Sequence, residues 1–150
     1  MAIRWGILGT GNIAHLVASD MARVPDAELV AVGSRSADRA KAFAGEVGVP
    51  EYYGDYESLV AEASIDAVHV ATPHTGHAAH ATMAMAAGHA VLCEKPLALN
   101  AAQAASLIAT AREQDQFLMV ALLMRWLPVM AVPRWRVRDE QALGRVRYPQ

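Results

Sequence analysis

The sequence predicts an α/β fold in three layers, a doubly wound parallel sheet with helices on both faces. Three observations carry that expectation. Apolar runs of strand length alternate with helical stretches along the chain. The run at 65–71 is mostly Val, Ala and Ile, as expected of a strand buried on both faces of a parallel sheet. The first run is followed at once by a glycine-rich turn and then by a helical pattern.

The elements follow in order. Ile3, Trp5, Ile7 and Leu8 form an apolar run too short for a helix and cut off by Gly9, which reads as a buried strand. Residues 12–23 suit a helix with Ile13, Leu16, Val17 and Met21 on one side, broken by Pro25-Asp26. Residues 27–32 are the second strand, closed by Gly33, and Ser36 caps a helix over 37–46. Residues 51–53 are a third, short strand, and Asp55 caps a helix over 56–63. The fourth strand, 65–71, ends at Thr72-Pro73; a helix over 75–87 closes on Gly88. Residues 90–93 are the fifth strand. Asn100 and Gln103 make a capping pair for a helix whose stripe is Ala104, Leu107, Ile108 and Ala111. Residues 117–123 are the sixth strand, so one domain is expected over 1–123, with 124–150 leading onward.

Composition narrows the function classes. The chain has 150 residues, enough to bury the core of one domain. At 54% hydrophobic and 19% charged it reads as globular rather than disordered. A net charge of −2 gives no bulk electrostatic case for nucleic acid or an anionic membrane. The single cysteine, Cys93, has no internal partner, which fits a reducing compartment. The first apolar run is only strand length and carries Arg4, unlike a signal peptide, and no apolar stretch reaches the ~18 residues of a membrane span. A soluble cytoplasmic protein is expected.

In a sheet of this kind ligands bind beyond the carboxyl ends of the strands. Gly9-Thr10-Gly11-Asn12-Ile13-Ala14 has the form G-x-G-x-x-A. Gly9 permits a tight turn, Gly11 lets a pyrophosphate approach the backbone, and Ala14 lets the helix pack on the strand. Helix N–H groups near Asn12 and Ile13 then face the phosphates. The second strand ends in Gly33-Ser34-Arg35-Ser36, without the carboxylate that would accept from a ribose 2′-hydroxyl. A guanidinium between two hydroxyls suits a 2′-phosphate, so NADP is preferred over NAD as cofactor. Ser36 can serve there and as a helix cap; the plainer alternative is that Arg35 is only solvated.

Thr72 and Pro73 end the fourth strand, and Glu94-Lys95-Pro96 the fifth. Lys95 is the only ammonium among these strand ends. A partly desolvated lysine can move a proton at a substrate hydroxyl or carbonyl, with Glu94 holding its charge; a surface ion pair is the alternative.

Joined, the stretches W-G-I-L-G-T-G-N-I-A, V-G-S-R-S, V-A-T-P-H-T-G-H-A, V-L-C-E-K-P-L-A-L-N and R-W-L-P span nearly the whole chain. In this order they resemble the Gfo/Idh/MocA oxidoreductases, most nearly the branch with dihydrodiol and xylose dehydrogenases. The resemblance implies a Rossmann domain binding NAD(P), with Lys95 beside the nicotinamide and the reactive carbon of a sugar- or polyol-like substrate. It implies cofactor contacts from Thr72, Pro73, His77, Glu94 and Arg125, and a cis Lys95–Pro96 bond. It also implies a following α/β domain that supplies most of the substrate pocket and a homo-oligomer interface. Leu143-Gly144-Arg145-Val146-Arg147 resembles the lead into that domain's first strand, so the substrate domain is expected to be missing here and the chain truncated. One segment departs from the branch: Met119-Val120-Ala121-Leu122-Leu123 has valine and leucine where glutamate and tryptophan usually stand.

The expected activity is hydride transfer between a nicotinamide cofactor and a CH–OH/C=O group, with Lys95 and Glu94 as catalytic residues. The alternative is a stand-alone dinucleotide-binding module without turnover. A methyltransferase, which can share the first turn, fits Glu94-Lys95-Pro96 poorly. His74, His77 and His80 step about 60° round a helix at each interval of three, which argues against a metal site. Cys93 reads as a small buried strand residue. Arg134, Arg136 and Arg138 around Trp135 are followed by Asp139 and Glu140, which suits a solvated helix face. Trp126, Leu127, Val129, Met130 and Val132 form an apolar tail expected to be exposed.

Overall fold

The computed structural model describes residues 1–62 and 64–130, together with Arg136 and Gly144. Its strands are β1 (Ile3–Leu8), β2 (Ala27–Gly33), β3 (Glu51–Tyr53), β4 (Ala67–Val70), β5 (Ala90–Glu94) and β6 (Leu118–Ala121). Its α-helices are α1 (Asn12–Met21), α2 (Ala37–Val47), α3 (Tyr56–Val60), α4 (His77–Ala86) and α5 (Ala101–Glu113). All strand pairs are parallel, in the order β3-β2-β1-β4-β5-β6. The order reverses between β1 and β4, and a crevice opens at such a switch point. Register aligns the strand ends that matter: Leu8 lies beside Gly33 on one side and Val70 on the other, and Val70 lies beside Cys93.

The sheet buries both faces. On one, Leu8, Val68, Val70 and Val91 pack with Leu59, Met85 and Leu107 from α3, α4 and α5. On the other, Ile7 and Val32 meet Ala14 and Ala18 of α1 and Phe43 of α2. The caps form as the side-chain chemistry dictates. Asp55 Oδ1 accepts from the Ser58 N–H at 2.7 Å and Asn100 Oδ1 from the Gln103 N–H at 2.9 Å. Ser36 Oγ accepts from the Arg39 N–H at 3.4 Å, a long bond.

Several expectations need correction. The buried stripe of α1 is Ala14, Ala18 and Met21, whereas Ile13 and Leu16 are exposed at 37% and 61%. Small residues at i and i+4, Ala14 and Ala18, let α1 sit close to the sheet, and the bulkier Ile13 and Leu16 are left outside. In α5 the stripe is Leu107 and Ala111, and Ile108 is exposed. Gln103 reaches back to the Leu99 N–H at 3.1 Å rather than to Asn100. The helix expected over 75–87 opens as a 3-10 turn, His74–Gly76, before α4. The last strand is shorter than 117–123, because the Leu122 N–H turns back to the Val120 carbonyl at 2.8 Å and a 3-10 turn, Leu123–Trp126, follows.

Phe117, Leu122, Leu123, Met124, Trp126, Val129 and Met130 are all exposed at the β6 side of the described structure. Exposed apolar surface promotes association. Light scattering is therefore expected to show concentration-dependent self-association of the chain; a clean monomer at high concentration would contradict this. Val132, Arg134, Trp135, Arg138, Asp139, Glu140 and the 143–147 segment apart from Gly144 lie outside the described residues. Arg136 is helical and exposed. No helix among the described residues is long and apolar enough to cross a membrane.

Candidate functional site

The crevice is built first by glycine. Gly9 has φ +110°, which L side chains rarely adopt, and a Cβ there would stand 2.6 Å from the Ala71 carbonyl oxygen. Its N–H donates to the Gly33 carbonyl at 2.8 Å, while the Ala71 N–H donates to Leu8 at 2.9 Å. Gly9 thus locks the ends of β1, β2 and β4 together. Gly11 is the opposite case: a Cβ there would meet nothing within 4 Å. It precedes α1, whose N-terminus carries no side-chain cap, and its carbonyl takes the first helical bond from the His15 N–H. The helix therefore presents uncapped N–H groups and its positive dipole end to open space.

That space is a cavity of about 560 Å³ lined by Gly9, Thr10, Gly11, Ser34, Arg35, Ser36, Arg39, Tyr56, Ala71, Thr72 and Pro73. Ser34 is buried, and Arg35 and Arg39 are exposed. Arg35 precedes the N-cap Ser36 of α2 and Arg39 lies within the first turn of the helix, and both line the cavity. Tyr56 sits between Arg35 and His80. Burial raises its hydroxyl above the usual phenol value, and the Arg35 guanidinium partly offsets this. His80 Nδ1 lies 2.8 Å from Thr72 Oγ1, and its ring meets Tyr56 edge-on at 4.7 Å.

One strand further, the β5 end carries Glu94 and Lys95. Glu94 is buried; its Oε2 accepts from the Lys95 N–H at 3.3 Å, and its Oε1 lies 3.7 Å from His69 Nε2. Burial, reinforced by the His77 charge, holds His69 down to about 4, so near neutral pH Glu94 faces a neutral ring and not an ion-pair partner. The Lys95–Pro96 bond is cis. Lys95 is exposed, and among the described residues its ammonium has no carboxylate within 4.0 Å. The expected desolvated lysine paired to Glu94 is therefore not what the chain shows. Glu94 instead holds the backbone of the turn that carries Lys95.

These strand ends match a known domain. The model described as "Oxidoreductase family, NAD-binding Rossmann fold", Gfo/Idh/MocA, matches residues 3–122. The chain belongs to the Gfo/Idh/MocA family. It is 40% identical over 136 residues to the mouse trans-1,2-dihydrobenzene-1,2-diol dehydrogenase, covering 89% of this chain and 41% of that protein. The human protein of the same name is 38% identical over 149 residues, covering 98% and 44%. Among solved structures, the 3-ketoreductase KijD10 from Actinomadura kijaniata, in complex with NADP and TDP-benzene, superposes with a TM-score of 0.87 at 33% identity, over 93% of this chain and 43% of that one. The scyllo-inositol dehydrogenase from Lactobacillus casei, with bound NAD(H) and scyllo-inositol, has a TM-score of 0.86 at 25% identity, over 96% and 43%. The chain thus spans under half the length of the relatives it matches.

Within this Gfo/Idh/MocA domain the anticipated residues divide in two. Gly9, Thr10, Gly11, Ser34, Arg35, Ser36, Thr72 and Pro73 line the cavity. Asn12 and Ile13 stand at the start of α1 beside it. Glu94 and Lys95 lie at the neighbouring β5 end, outside the cavity wall, and Arg125 is exposed in the 3-10 turn after the edge strand. His77, implied as a cofactor contact, is fully buried, with both ring nitrogens bonded to backbone carbonyls. Arg39 and Tyr56 were missed. Arg39 reaches the crevice through the first turn of α2 and Tyr56 through the packing of α3. Cys93 is inert: burial, then the Glu94 charge, pushes its thiol up to about 12. Among the described residues no three His, Cys, Asp or Glu side chains are grouped to hold a metal.

Proposed function

We propose that the chain binds NADP along the strand ends and serves hydride transfer at a CH–OH/C=O group of a sugar- or polyol-like substrate. The observation that carries this is the pairing of a bare Gly11 before an uncapped helix with Arg35, Arg39 and Ser34 on the same cavity. The first suits a pyrophosphate and the second a 2′-phosphate. A solved relative holding NADP supports the nucleotide class, and one holding NAD(H) keeps the alternative cofactor in the comparison. When bound, the nicotinamide supplies the hydride chemistry. The roles of the chain's own residues follow from position. Asn12 and Ile13 offer N–H groups to the phosphates; Thr72 and Pro73 wall the crevice between β4 and β5. Lys95, at the adjoining strand end, moves the substrate's hydroxyl proton, and Glu94 fixes the turn under it. Arg125 contacts the cofactor edge from beyond β6. Residues 1–123 form the nucleotide-binding domain and 124–150 lead out of it.

A second reading is a dinucleotide-binding module without turnover. It is favoured by the exposure of Lys95 and by a cavity wall that stops at Pro73, short of the β5 end. Incubating the chain with NADPH and a panel of aldoses and diketones separates the two. Loss of nicotinamide absorbance is the expected result for a dehydrogenase. Saturable binding with no loss supports the module, and no binding at all contradicts both.

A further inference from the structure

His77 opens α4 and is fully buried. Its Nδ1 lies 2.7 Å from the Pro96 carbonyl oxygen and its Nε2 2.9 Å from the Thr72 carbonyl oxygen. A carbonyl oxygen only accepts, and a neutral imidazole donates from one nitrogen alone. A neutral His77 would set a lone pair against a carbonyl lone pair inside the protein, with no solvent to relieve it. We infer that His77 carries a proton on each ring nitrogen and is a positioning residue, a cationic brace that ties the end of β4 to the Lys95–Pro96 turn and so sets where Lys95 stands.

The surroundings fit a cation in this place. Two short bonds to carbonyl oxygens suit a ring that donates from both nitrogens. The nearby titratable groups are His69 on β4, His74 in the preceding 3-10 turn, His80 on α4, and Glu94 and Lys95 at the β5 end. His74 meets His77 edge-on with ring centroids 5.5 Å apart. His69 and His80 are both held below the usual imidazole range, first by burial and in each case also by the His77 charge. Glu57 pulls His80 the other way, and Arg35 adds to the repulsion. A doubly protonated His77 is the arrangement that leaves both carbonyls satisfied.

The brace adds to a turn whose next residue, Leu97, packs against the core. The amide nitrogen of Pro96 has no hydrogen to donate, so the turn is tied through its carbonyl, by His77, and through the Lys95 N–H, by Glu94. The inference needs no bound nucleotide and stands apart from the proposed activity. Two-bond ¹H–¹⁵N correlations of the full chain read the His77 ring directly. The expected result is two N–H nitrogens near neutral pH. In His77→Gln, whose single amide nitrogen can donate to only one of the two carbonyls, the Lys95 and Leu97 amides are expected to shift. A single-proton tautomer near neutral pH overturns the proposal, as does a His77→Gln chain whose Lys95 amide stays still. His74→Gln, at the exposed neighbour, is expected to leave both signals in place. If His74→Gln moves the Lys95 amide as far as His77→Gln does, the loop as a whole sets Lys95 and the positioning role of His77 is refuted.

Discussion

Gly9→Ala is expected to destabilise the chain by roughly 3 kcal/mol or more, whereas Gly11→Val should change stability by only ~0.5 kcal/mol. Two terms add at Gly9. Its φ of +110° is strained for any L side chain, and the new Cβ would sit 2.6 Å from the oxygen and 2.9 Å from the carbon of the Ala71 carbonyl. That obstacle is backbone in the joint between β1 and β4, so it cannot swing aside. At Gly11 the backbone is ordinary, φ −86°, and the added side chain meets nothing within 4 Å. Its effect falls on the ligand. A valine there fills the approach to the α1 N–H groups, and losing two charge-assisted bonds weakens NADPH binding on the order of 100-fold. Urea melts and an NADPH titration on both variants check the contrast. A Gly11→Val chain that melts earlier than Gly9→Ala would show that the two glycines have been given each other's roles.

The second large effect concerns cofactor choice. Arg35→Ala and Arg39→Ala are each expected to weaken NADPH binding by roughly 10-fold while leaving NADH nearly unchanged. A charge-assisted bond to phosphate contributes about 1.5–3 kcal/mol, and the lower end applies because both guanidiniums are exposed and screened. The double variant should lose less than the product, since the two share one anion. Calorimetric titration with both cofactors is the check. An unchanged NADPH-to-NADH ratio in Arg35→Ala removes the 2′-phosphate role from that residue.

The strands and their parallel sense were legible because the strand runs are short, apolar and separated by helical periods. The glycine turn after β1 was legible because Gly9 and Gly11 meet different physical demands, one of backbone conformation and one of open space, that a spacing reveals. The face of α1 was not, because reading Ile13 and Leu16 as buried weighs side-chain size, whereas close packing on the sheet selects Ala14 and Ala18. Arg39 was not legible, because it lies beyond the strand tip and joins the cavity only once α2 is in place. The position of Lys95 at a strand end was legible, but its exposure was not, since exposure depends on what packs over the strand ends. The two carbonyls on His77 come from Thr72 and Pro96, segments that meet only after β4 and β5 pair. No local pattern announces such a contact.

In the proposed function, one nucleotide runs along the carboxyl ends of β2, β1, β4 and β5, from Arg35 past Gly11 towards Lys95. Amide chemical-shift mapping of the ¹⁵N-labelled chain titrated with NADP tests it most directly. The expected result is saturable shifts at Gly11, Asn12, Ile13, Arg35 and Lys95, with the amino ends of the strands, at Ile3 and Ala27, unmoved. Fixed resonances at those five residues while shifts gather near Phe117 and Trp126 would contradict it.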